Sequence, residues 1–221
     1  MQEQISVTGM ILKAEPVGEY DKRVVILTRE RGKIAAFARG ARKQGSRLLA
    51  STNPFCFGGF RMYEGRSAYS IAEVSVSNYF EEFREKFEEA CFGMYFLEVM
   101  DYYTRENSDE KEMLKLLYQS LRALLHEGLP NSLVRYIFEI KALVLSGEYP
   151  GPPKREQPYL DSTLYAMDFI SASSVEKLYT FTVSDQVLGE ISQIADTFRK
   201  RFIDRKMKSL EILSEINAGI E

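Results

Sequence analysis

The hydrophobic period changes once along this chain, between residues 77 and 80, so two differently built parts must be joined there. Before that point apolar side chains alternate. Ile5, Val7, Gly9 and Ile11 share one parity and Ser6, Thr8, Met10 and Leu12 the other, the repeat of a β-strand with distinct faces. The β-branched run VVILT (24–28), GKIAAFARG (32–40), PFCFGGFRMYE (54–64) and RSAYSIAEVSV (66–76) read as four further strands, the last two joined by a hairpin at Glu64-Gly65. Five short strands with glycine-rich turns in about eighty residues predict a small Greek-key barrel.

Beyond residue 80 the repeat becomes helical. Phe80, Phe83, Phe87, Cys91, Met94 and Leu97 recur at three and four, and Glu81, Glu82, Glu85, Glu88 and Glu89 fill the opposite face. Asp109 followed by Glu112 resembles a capping box, opening a helix that buries Met113, Leu116, Leu117, Leu121 and Leu124 and stops at His126-Glu127-Gly128. SLVRYIFEIKALVLSG (132–147) is apolar on nearly every side and is predicted to be the centre of a helical bundle. The proline-rich stretch 147–161 reads as a loop, and helices are predicted at 173–179, 184–202 and 208–213. The expected domains are therefore 1–79 and 80–221.

Charge divides at the same place. Residues 1–80 carry 12 basic and 7 acidic side chains, a net of +5, whereas residues 81–221 carry 17 and 25, a net of −8. The overall charge of −3 hides a basic half able to meet a polyanion. RGKIAAFARGARKQGSRLLA (31–50) concentrates that charge, with Arg31, Lys33, Arg39, Arg42, Lys43 and Arg47 and no acid. Phe37, Phe55, Phe57, Phe60, Tyr63 and Tyr69 lie on the same and neighbouring strands. Cations among aromatics on a small barrel suit single-stranded nucleic acid, the charges tracking phosphates and the rings stacking on bases. The alternative is a solvated loop beside aromatics that fill the barrel. Arg199, Lys200, Arg201, Arg205, Lys206 and Lys208 form a second cluster, which either extends the surface or answers the acidic helices.

Catalytic patterns are missing. GxxxxGK[ST], GxSxG and GxGxxG do not occur, and the one histidine, His126, sits where a cation would oppose a helix C-terminus. Cys56 and Cys91 are far apart, which favours a reducing compartment and offers no ligand set for a metal. No apolar run reaches eighteen residues, and the start MQEQISVTGM lacks the basic-then-apolar layout of a secretory leader. The expectation is a cytoplasmic protein that is not an enzyme and carries no cofactor.

One order of residues is more specific than any pattern above. GEYDKRVVILTRERGKIAAFARGARKQGSRL (18–48) contains Gly32-Lys33, Ala38-Arg39-Gly40-Ala41-Arg42-Lys43 and Ser46-Arg47-Leu48, followed by Pro54-Phe55. In this order they resemble the N-terminal domain of the bacterial RecO family of DNA-repair recombination mediators. The resemblance resumes at LVRYIFEIKAL (133–143), STLYAMDFI (162–170) and DRKMKSLEIL (204–213), spanning nearly the whole chain. It implies an α+β multidomain protein, a five-stranded OB-fold barrel followed by an all-α domain. It also implies binding of single- and double-stranded DNA, annealing of complementary strands and, with RecR, loading of RecA onto DNA coated by single-strand-binding protein. The cytoplasmic site would then be the bacterial nucleoid. Lys33, Arg39, Arg42, Lys43 and Arg47 become the expected DNA contacts. Arg135, within Arg135-Tyr136-Ile137-Phe138-Glu139, becomes the expected contact for the acidic tail of single-strand-binding protein, the alternative being an ion pair with Glu139. Many relatives carry a four-cysteine zinc module after the third helix, where this chain has a shortened, cysteine-free loop. An RNA-binding OB module of translation or ribosome assembly is the second expectation, separable by preference for DNA over RNA.

Overall fold

The computed structural model describes residues 3–66, 68–153 and 159–218. Five strands, β1 (Gln4–Val17), β2 (Asp21–Thr28), β3 (Gly32–Ala38), β4 (Phe57–Tyr63) and β5 (Tyr69–Asn78), close into a barrel in the order β1-β2-β3-β5-β4. β4 returns to pair antiparallel with β1, and β3 meets β5 in parallel. This is the OB topology, with a short helix α1 (Leu48–Ser51) between β3 and β4. The alternation along the strands builds the core. Val7 and Ile11 of β1, Val24 and Ile26 of β2, Ile34 and Ala36 of β3, and Phe60 and Met62 of β4 form one buried cluster. A register shift between Ile11 and Lys13 inserts a residue, so that Ala14 also packs on that cluster.

Among the described residues six longer helices follow: α2 (Phe87–Tyr103), α3 (Lys111–Leu124), α4 (Asn131–Ser146), α5 (Asp161–Ala172), α6 (Asp185–Phe202) and α7 (Lys208–Ala218). α4 is buried from Leu133 to Leu143 apart from Arg135, as its all-round apolar sequence requires. Phe138 of α4 stacks on Phe96 with ring centroids 4.1 Å apart. α4, α5 and α6 pack against one another.

By contacts, the chain forms two compact units that interleave in sequence. One is Met1–Glu85 with Leu97–Leu114; the other is Lys86–Phe96 with Lys115–Glu221. The expected cut at 79/80 marks the change from strand to helix, and the contact-based division differs because β3 holds a distant segment. Lys33 N–H donates to the Arg105 carbonyl at 2.9 Å, Asn107 N–H to the Arg31 carbonyl at 3.0 Å, and Lys33 Nζ pairs with Asp101 at 3.1 Å. Met10, Leu12 and Leu27 alternate away from the barrel core yet are buried, so the barrel unit needs apolar cover beyond its five strands.

Two local expectations are corrected. The helix anticipated from Phe80 begins at Phe87, after a 3-10 turn over Glu81–Arg84; Phe80 and Phe83 are buried through that turn and Phe87 is 66% exposed. The stretch 173–179 holds only a 3-10 turn, Val175–Lys177, and the helix lies earlier, as α5. His126 lies just past the end of α3, where its Nδ1 accepts the Gly128 N–H at 3.1 Å and closes the turn. Of the expected cysteine-free loop at 147–161, residues 154–158 lie outside the described residues.

Candidate nucleic-acid interface

The basic loop is built by the strand before it and by the turn between β1 and β2. β3 ends at Ala38, and Gly40 takes φ +66°, a left-handed conformation that turns the chain towards β2. Its N–H donates to Asp21 Oδ1 at 2.7 Å. Two further bonds tie the loop to the β1–β2 turn, Arg42 N–H to the Tyr20 carbonyl at 2.8 Å and Arg42 Nη1 to the Gly18 carbonyl at 3.0 Å. Lys22 of β2 secures the far side of the loop. Its ammonium donates to the Leu49 carbonyl at 3.0 Å, Asn53 Oδ1 at 2.8 Å and Thr52 Oγ1 at 3.3 Å, stapling the end of α1, where a cation also suits the helix dipole. Burial, then the charge of Arg42, lowers the Lys22 pKa from its ordinary value.

Four of the five expected contacts share this loop. Arg39, Arg42, Lys43 and Arg47 are all exposed. Lys33 is placed differently, its side chain 21% exposed and its ammonium held by Asp101. A cation already neutralised by a carboxylate is poorly suited to a phosphate, so Lys33 belongs to the internal framework. The neighbouring acids are engaged locally: Glu15 pairs with Lys13 and Arg23, and Asp21 accepts from Gly40.

The aromatics divide too. Phe60 and Tyr69 are core, Phe55 packs against Phe83 at 4.9 Å, and Phe37 and Phe57 are half-buried. Tyr63 is exposed at the end of β4. The ring that lies against the basic loop is Tyr20, 46% exposed, with Lys43 Nζ 5.3 Å from its centroid. Sequence reasoning passed over it, although an aromatic in a Gly-Glu-Tyr-Asp turn between strands has no core to enter.

Arg135 is largely enclosed in the helical unit. Its side chain is 14% exposed, with Nε on Glu139 Oε1 at 2.8 Å and Nη2 on Asp196 Oδ1 at 3.2 Å. The rings of Tyr95 and Tyr136 lie 5.6 and 5.1 Å from its guanidinium. This matches the internal ion pair and leaves little of the cation for an incoming carboxylate. In the second basic cluster Arg199 pairs with Asp196 and Lys206 with Glu211, while Lys200, Arg201, Arg205 and Lys208 are exposed.

The model for "Recombination protein O N terminal" matches residues 1–80, and that for "Recombination protein O C terminal" matches residues 84–151 and 152–211. The chain belongs to the RecO family. It is 27% identical to the DNA repair protein RecO of Clostridium novyi, covering 93% of this chain and 92% of that one. It is 26% identical to the RecO of Clostridium perfringens, covering 94% and 96%. Over 66% of this chain and 59% of the relative, it is 32% identical to the RecO of Alkaliphilus metalliredigens. The barrel and the helical region are thus those of RecO proteins of DNA repair and recombination. No helix among the described residues is long and apolar enough to cross a membrane.

The zinc module of many RecO proteins does not fit the residues present. The chain has two cysteines, one in each unit, and burial pushes the Cys56 thiol up to about 11 and also raises Cys91. Neither thiol has the partners that make a ligating thiolate. Elemental analysis of the purified protein is expected to find zinc far below one equivalent, and a chelator to leave the melting temperature unchanged. Stoichiometric zinc, or a melting temperature lowered by chelation, would refute this.

Proposed function

We propose that this protein binds single-stranded DNA through Arg39, Arg42, Lys43 and Arg47 and anneals complementary strands, acting in repair without catalytic turnover. The observation that carries the reading is the placement of four exposed cations on one loop braced to β2 and the β1–β2 turn. Held this way, they meet a phosphate backbone with less conformational entropy to lose than mobile lysines would. Double-stranded DNA meets the same charges, since phosphate contacts carry no sequence information.

The finer role follows the family. With RecR, the protein loads RecA onto DNA coated by single-strand-binding protein in the bacterial cytoplasm, and the helical unit receives that protein's acidic tail. The enclosure of Arg135 favours another cation for the tail contact.

Annealing of labelled complementary strands, with wild-type protein and Arg39→Ala/Arg42→Ala, tests the reading. Losing two phosphate contacts should weaken single-strand binding by about twentyfold at 0.1 M salt and slow annealing in step. Both side chains are exposed and the variant loses one surface hydrogen bond, Arg42 Nη1 to the Gly18 carbonyl, so it should melt no more than about 6 °C below wild type. Wild-type annealing speed from a folded double variant would place the DNA surface elsewhere, and tighter binding of RNA than of DNA would favour a role in translation.

A further inference from the structure

The cations explain attraction to any polyanion, but not a distinction between an unpaired strand and a duplex. A second feature of the same loop supplies one. Tyr20 sits in the turn between β1 and β2, and in five-stranded barrels of this topology that turn borders the ligand face. Its backbone carbonyl accepts from Arg42 N–H at 2.8 Å, and the preceding turn residue Gly18 accepts from Arg42 Nη1 at 3.0 Å, so the turn and the basic loop are bound together. Lys43 Nζ lies 5.3 Å from the centroid of the ring, within range of a cation–π contact. The side chain is thus restrained at its base and over its ring, while 46% of the residue faces solvent. Tyr63 and Tyr79 are comparably exposed in this unit, but among the described residues neither has a cation over its ring.

An oriented, exposed aromatic ring beside phosphate-binding cations is the pairing that single-strand sites use, one partner for the base and one for the backbone. Bases inside a duplex already stack on their neighbours and offer no free face. We propose that Tyr20 is a base-stacking platform that makes the basic loop select unpaired strands over duplex. This rests on the phosphate-contact reading above, and it assigns the turn a role that cations alone do not have. Lys43 serves twice, holding the ring and meeting the phosphate of the stacked nucleotide.

The chain has 13 tyrosines and no tryptophan, so Tyr20→Trp introduces a lone indole whose fluorescence reports on that position. Titration with a short oligothymidine should quench the indole by roughly half or more as a base stacks on it, whereas duplex of equal length, at concentrations that bind, should change it little. Tyr63→Trp, on β4, should not respond to either. Tyr20→Ala should lose about five- to a hundredfold in affinity for the single strand, keep its duplex affinity within about twofold and melt normally, and Tyr20→Phe should behave as wild type.

An unquenched indole in a Tyr20→Trp protein that binds a labelled strand normally would overturn the stacking role while leaving the phosphate contacts standing. Equal losses for single strand and duplex in Tyr20→Ala would overturn it too, leaving the ring as a prop for Lys43. If Arg39→Ala/Arg42→Ala binds both forms as wild type does, the phosphate reading itself fails and the platform falls with it.

Discussion

Arg135→Ala should destabilise the helical unit by about 3–5 kcal/mol, the usual cost of removing one partner from a buried ion pair. Glu139, on buried α4, holds its Oε1 against Arg135 Nε at 2.8 Å and accepts the Tyr95 hydroxyl at 2.6 Å, and its Oε2 is buried with no hydrogen-bond partner among the described residues. The guanidinium is therefore the main compensation for that carboxylate. Burial, then the Glu139 charge, holds the Tyr95 phenol well above its ordinary pKa, so it stays a neutral donor to the carboxylate, and a phenol brings no positive charge to replace the guanidinium. Urea unfolding followed by circular dichroism measures the loss. Adding Glu139→Gln should recover a large part of it, because the stranded charge and not the lost contact dominates. A folded Arg135→Ala protein of wild-type stability that fails only to bind an acidic tail peptide would reverse the assignment and make Arg135 a docking residue.

Gly32→Ala is expected to cost about 3 kcal/mol or more, combining a left-handed backbone with a collision. Gly32 has φ +66°, and a Cβ there would lie 2.2 Å from the Arg105 carbonyl oxygen, a backbone atom that cannot swing aside. The same carbonyl accepts Lys33 N–H, and Thr28 Oγ1 donates to the Gly32 carbonyl at 2.8 Å, so relief at one contact breaks others. For a chain of this length that corresponds to a melting temperature lower by about 6–12 °C. Amide exchange should locate the loss at β3 and residues 101–108. A variant that melts as wild type does would mean that the 105–108 segment is not held against β3.

The parts of the fold visible in the sequence are those set by local period. Val24, Ile26, Ile34 and Ala36 alternate into the barrel core as their spacing requires, and α4 is buried as its composition requires. What escaped is set by partners far along the chain. α5 has no capping side chain of its own: Glu190 accepts the Leu160 N–H at 3.0 Å at one end, and buried Lys141 donates to the Ser171 and Ser173 carbonyls at 2.9 and 2.7 Å at the other. Its buried positions Thr163, Ala166, Met167 and Ile170 follow helical spacing, but threonine and alanine give that face a weak signal. At the candidate site, clustered charge made Arg39, Arg42, Lys43 and Arg47 legible together. Lys33 belongs to the same basic run, and only Asp101, 68 residues away, sets it apart. Arg135 likewise answers to Asp196, 61 residues on, as well as to its helical neighbour Glu139.

Whether the loop at 39–47 is where a DNA strand binds is decided by the salt dependence of its affinity. Four phosphate contacts predict that log K for a single strand falls with log salt at a slope of about −2.8, a loss of about fiftyfold between roughly 50 and 200 mM. Arg39→Ala/Arg42→Ala should flatten that slope by about 1.4. A double variant that melts normally and keeps both the wild-type affinity and the wild-type slope would contradict the assignment and move the strand to another surface, the exposed cations after residue 199 first among them.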